Sequence, residues 1–157
     1  MSQEERHGTR DRSYSAWHRR MSTGRFIGIE RAQTLAMIDL DASLYVEYDD
    51  GTKEPLALIE TAIDVGQRWK AATVTQKLAK RANLPAYVVL YSLSPLPNPA
   101  DPCWQDIEQF RIRRLYPNPE AGLHIISPEG WAKALVELRI WSARRLDREL
   151  FPEDATA

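Results

Sequence analysis

Asp39 and Asp41 stand two positions apart in the stretch MIDLDASLYVEY, Glu60 lies nineteen positions beyond Asp41 inside LALIETAI, and Lys70 follows ten positions later. A carboxylate set in an apolar run is costly without a partner, because desolvation disfavours its charged form. A hard divalent cation shared by two or three carboxylates is one solution, and Mg²⁺ is commonly held this way while keeping several waters. Such an ion lowers the pKa of a bound water and neutralises charge on a phosphoryl group in transit. An ammonium group beside it can orient that water or stabilise the transition state. Each residue taken alone also has a plainer reading. Asp39 and Asp41 suit the solvent face of an edge strand, Glu60 suits an ion pair with Arg19 or Arg20, and Lys70 suits an exposed helix. Their order and spacing together are what point to a site.

These residues need elements to bring them together. Over residues 36–48 every even position is apolar or small, while Asp39, Asp41, Ser43, Tyr45 and Glu47 take odd positions, with Met37 as the exception. That period of two predicts one long strand, or two joined by a kink near Asp41, with both aspartates on one face. Asp50-Gly51 then signals a hairpin turn. Residues 55–63 (PLALIETAI) form a nearly continuous apolar run, as in a strand covered on both faces. Residues 67–83 read as a helix with Ala71, Val74, Leu78 and Ala82 on its inner stripe, stopped by Asn83 and Pro85.

Residues 86–93 (AYVVLYSL) read as a strand, SPLPNPADP as a proline-rich loop, and 106–116 as a further strand or hairpin partner. Ser127-Pro128-Glu129 opens a helix with a capping hydroxyl, a first-turn proline and a carboxylate at the positive dipole end. That helix carries Trp131, Leu135, Leu138 and Trp141 and is expected to end near Leu150, before Pro152. A shorter helix over residues 13–21 precedes everything else. Strands punctuated by helices predict an α/β or α+β sheet domain.

Composition narrows the field further. A chain of 157 residues with 43% hydrophobic side chains can bury a core without disulfides or a structural metal. One Cys and three His exclude a disulfide framework and a cysteine-rich zinc module, and no phosphate-cradling glycine loop occurs. Cys103 comes with no base signature for a nucleophile. No apolar run of membrane-spanning length exists and the first residues carry no apolar leader, so a cytoplasmic location without membrane contact is expected. The net charge of −1 is unevenly spread: residues 1–31 hold seven Arg against four acids. A basic arm beside a polyanion is the functional reading of that excess, and a solvated terminus the plain one. The expected organisation is a basic arm (1–12), a single domain (13–150) and a tail (151–157).

The stretch MIDLDASLYVEYDDGTKEPLALIETA, a helix, and then PAYVVLYSL together resemble the core of the PD-(D/E)xK nuclease superfamily, over roughly residues 13–93. The resemblance implies a restriction-endonuclease-like mixed sheet flanked by helices, in which a strand hairpin bears the Asp and the next strand bears Glu-x-Lys. Asp41 (or Asp39) matches the Asp and Glu60 the Glu, but Ala62 occupies the lysine position. Parts of the superfamily supply that lysine from the following helix, which Lys70 could do here, with Gln67 as a second candidate. The implied activity is phosphodiester hydrolysis with Mg²⁺ or Mn²⁺, with Asp39, Asp41 and Glu60 as ligands. Arg19, Arg20 and Arg25 would contact the phosphates of nucleic acid, DNA foremost, and a homodimer is an expected assembly. Small phage-borne proteins share this general appearance, so a phage-encoded origin belongs to the same expectation. The rival expectation is a non-catalytic binding or inhibitor protein that keeps the nuclease fold, and Ala62 favours it.

Overall fold

A computed structural model describes residues 13–17, 25–26, 28–35 and 37–152. The chain divides into two compact units, Met1–Asp39 and Leu40–Ala157. Within the first, α1 (Ser13–Trp17) stacks Tyr14 on Trp17, and a 3₁₀ turn covers Ala32–Thr34. The rest of the expected 13–21 helix, with Arg19 and Arg20, lies outside the described residues.

The second unit is a mixed five-stranded sheet in the order β1-β2-β3-β4-β5. β1 (Ala42–Glu47) runs antiparallel to β2 (Lys53–Ile63), joined by a turn in which Gly51 takes φ +83°. That left-handed conformation is why a glycine belongs there. β2 pairs in parallel with β3 (Ala86–Pro97), which requires a crossover, and α2 (Thr73–Ala82) provides it. β3 returns through a hairpin to β4 (Gln105–Tyr116), and β5 (His124–Ile126) pairs with the far edge of β4. The closing helix α3 (Pro128–Leu150) begins as expected: Ser127 Oγ accepts a hydrogen bond from Gly130 N at 3.0 Å, with proline in the first turn. The unit is α/β.

Alternate residues of the central strands feed two cores, as the pleat demands. Leu58, Val88, Leu90 and Leu115 pack with Ala72 and Ala79 on the α2 side. Val89 and Ile112 pack with Trp131, Ala134 and Leu135 on the α3 side. β2 therefore lies between two covered faces, which accounts for its unbroken apolar sequence.

Four sequence expectations are corrected. The first strand begins at Ala42, not at residue 36, so Asp39 and Asp41 do not share a strand face. α2 begins at Thr73, because residues 64–72 form a hydrogen-bonded loop instead of helical turns. Its inner face is also rotated: Thr75 and Ala79 are buried, whereas Val74 and Leu78 are exposed. On the buried face Thr75 donates to the Glu60 carboxylate of β2. Finally, β3 runs on through Pro95 to Pro97. It passes the end of β2 at Tyr91, so its later residues hydrogen-bond on one side only, where proline is tolerated.

Candidate functional site

Glu60 sits near the C-terminal end of β2 on the face covered by α2, and it is only 5% exposed. Both of its oxygens are engaged. Thr75 Oγ1 donates to Oε1 at 2.6 Å, and Lys70 Nζ donates to Oε2 at 3.1 Å. The partner that a buried carboxylate requires is therefore a hydroxyl plus an ammonium.

Asp41 enters from the segment just before β1. Ala42 pairs with Ile59, which places the residue before β1 opposite the end of β2. There Asp41 Oδ2 accepts from Thr61 N at 2.8 Å and lies 3.5 Å from Lys70 Nζ. Lys70 completes the cluster by donating to the Thr61 carbonyl at 2.8 Å. Two carboxylate oxygens and one backbone carbonyl thus surround a single cationic nitrogen. The carboxylates are no farther apart than the sum of their distances to it. Asp41, from the segment just before β1, and Glu60 of β2 thus meet at the same lysine.

Access differs among the three. Glu60 is enclosed, while the Lys70 and Asp41 side chains keep 28% and 35% of their surface open. Asp41 Oδ1 has no hydrogen-bond partner among the described residues. A ligand can approach from the Asp41 side without disturbing the core.

Ala62, two positions beyond Glu60, packs at the margin of the α2-side core. Lys70 reaches Glu60 from the loop before α2 instead. Gln67, the other candidate for the lysine role, is engaged locally: its Oε1 accepts from Val65 N at 2.7 Å and its Nε2 donates to Ile63 O at 3.0 Å. Asp39 is exposed and belongs to the Met1–Asp39 unit. Arg25, in that unit too, is exposed and lies over the Phe26 ring at 4.9 Å from its centroid. Arg19 and Arg20 lie outside the described residues. Among the described residues no group of three or more His, Cys, Asp or Glu is arranged to hold a metal ion.

Two contributors were not legible in the sequence. Thr75 was hidden by a helical stripe that pointed one residue away. The Asp64–Arg111 pair joins the end of β2 to β4: Arg111 Nε donates to Asp64 Oδ2 at 2.6 Å and Nη2 to Oδ1 at 2.7 Å. The guanidinium and the Gly66 amide hold the Asp64 carboxyl down at about 2, and Asp64 in turn raises Arg111. An acid immediately after an apolar strand was the only available hint of it. No helix among the described residues is long and apolar enough to cross a membrane.

Comparison with protein families, curated proteins and solved structures returns no match.

Proposed function

We propose that the protein is a metal-dependent nuclease that hydrolyses phosphodiester bonds of nucleic acid. The observation that carries this reading is the convergence of Asp41 Oδ2, Glu60 Oε2 and the Thr61 carbonyl on Lys70 Nζ. The donors are all hard oxygens, two of them charged, which suits Mg²⁺ or Mn²⁺ completed by water and phosphate. Asp41 and Glu60 would hold the ion, with the Thr61 carbonyl beside them. When bound, it would supply an acidified water and charge neutralisation at phosphorus.

The chain's own residues have distinct tasks in this reading. Thr75 fixes Glu60 in one orientation, and the Thr61 amide fixes Asp41. Lys70 offers a positive donor where negative charge grows on the phosphoryl oxygens. Asp39 and Gln67 are held as auxiliary candidates, and Arg19, Arg20 and Arg25 as phosphate contacts in the more basic unit.

Cleavage of plasmid and single-stranded DNA, and of RNA, with Mg²⁺ or Mn²⁺ tests the reading directly. Asp41→Ala, Glu60→Gln and Lys70→Ala are each expected to lower the rate by about 10²-fold or more. Chelation of the metal is expected to abolish cleavage. Activity that survives both acidic substitutions ends the proposal.

A second reading has an observation in its favour: Lys70 and Thr75 already satisfy Glu60, so the site stands without an ion. That suits a non-catalytic protein of the same fold that binds nucleic acid or a protein partner. Calorimetric titration separates the two, because the nuclease must bind Mg²⁺ or Mn²⁺ with an affinity that falls in Glu60→Gln.

A further inference from the structure

Lys70 does not belong to a strand or a helix. It sits in the loop of residues 64–72, where Val65 is 77% and Trp69 65% exposed. Such a segment has little apolar burial of its own to fix its course. Hydrogen bonds fix it instead: Lys70 bonds to Glu60 and Thr61 O at one end, and three bonds at the other end come from a single side chain. Arg111 lies opposite Leu90 in the middle of β4, on the face covered by α2. Its guanidinium grips both oxygens of Asp64 and donates a further bond from Nη2 to the Gln67 carbonyl at 2.8 Å. Asp64 Oδ1 also receives Gly66 N at 2.8 Å, where the chain turns through φ +82°. The Gln67 side chain closes the same turn over Val65 and Ile63.

We propose that Arg111 is a positioning residue that sets where the Lys70 ammonium sits, acting through the Asp64 carboxylate and the Gln67 carbonyl. The proposal deepens the reading of Asp41, Glu60 and Lys70 as one site and rests on it. Arg111 is suited to the task because its rigid fork fixes direction as well as distance, which a lysine cannot do. The brace is anchored in the sheet centre: β4 carries Arg111, and the Asp64 amide donates to Tyr91 O of β3 at 2.8 Å. From there it reaches a carbonyl three residues before Lys70. With the brace intact, the loop arrives at Glu60 with the lysine already directed at both carboxylates.

The test reads Lys70 itself, with pulsed acetylation by acetic anhydride mapped by peptide mass. Full-length wild type is compared with Arg111→Ala, Arg111→Lys and Asp64→Asn, each first checked for a cooperative melt. Acetylation of Lys70 is expected to accelerate about tenfold in Arg111→Ala and Asp64→Asn, while the exposed Lys77 and Lys80 keep their rates. Arg111→Lys is expected to fall between, since it keeps the charge and loses the fork. Guanidinium ion at tens of millimolar is expected to restore protection in Arg111→Ala and not in Asp64→Asn. Should Arg111→Ala fail to fold, the other two variants carry the comparison. A merely structural brace would lower the melting temperature and leave Lys70 labelling at the wild-type rate, and that result overturns the proposal. Labelling is independent of turnover, so a wild-type protein that cuts nothing would end the nuclease reading and leave this one standing. If it cuts, Arg111→Lys is expected to reduce kcat with KM nearly unchanged.

Discussion

At Glu60 a charge lies almost wholly inside the protein, and two donors make that tolerable. Removing one donor from a buried acceptor costs far more than a typical hydrogen bond contributes, because the acceptor stays desolvated. Thr75→Val keeps the side chain's shape and deletes the hydroxyl. It should therefore destabilise the fold by about 1–3 kcal/mol, read from urea melts. Thr75→Ser, which keeps the donor, should recover most of that loss. Asp64 gives a separate prediction in pH. Its carboxyl titrates near 3.8 when unfolded and at about 2 when folded, through Arg111 and the Gly66 amide. A depressed folded value means the contribution is complete above 3.8 and is lost as pH falls through about 2. The gap in melting temperature between wild type and Asp64→Asn should therefore narrow steadily across that window. A constant gap would show that the Asp64 charge contributes nothing to folding.

At the scale of elements, local chemistry explains some boundaries and fails at others. α3 starts where a hydroxyl can cap it and proline can enter its first turn, both visible in Ser127-Pro128-Glu129. Ser127→Ala should cost about 1 kcal/mol in thermal or chemical melts, since Gly130 N loses its acceptor. β2 was legible because double burial imposes an apolar run, and the order of such segments narrowed the class to α/β or α+β. The start of α2 was not legible. Residues 67–72 carry a helical spacing, but Lys70 bonds to Thr61 O and Arg111 to Gln67 O, interactions that no local pattern records. The start of β1 failed for a similar reason. Residues 38–41 alternate like a strand, yet β1 pairs with β2 only from Ala42, opposite Ile59. β5 spans three residues, too few to show any period. Within the candidate site, Asp41, Glu60 and Lys70 were singled out by their order and spacing, since each alone has an ordinary reading. Thr75 and Arg111 are ordinary residues until the sheet brings them to that place.

At the scale of the whole molecule, the two units carry opposite charge. Residues 1–39 hold seven Arg against five acids, and residues 40–157 hold fourteen cations against seventeen acids. A unit with net charge −3 that must meet a polyanion gains from cations supplied outside it. If nucleic acid is the substrate, the arginines of the first unit should carry a disproportionate share of binding. Neutralised phosphates release counterions, so the slope of log affinity against log salt drops by roughly 0.9 for each B-DNA phosphate that is no longer neutralised. Replacing Arg19, Arg20 and Arg25 together by Ala should weaken binding at all sequences and flatten that slope. Replacing the exposed Arg139, Arg144 and Arg148 of α3 changes the net charge by the same amount. That second triple variant should leave the slope close to wild type, because its positions alternate with Glu137, Asp147 and Glu149 along the helix. Equal weakening by both triple variants would mean that net charge alone governs association and that the first unit touches no phosphates of its own.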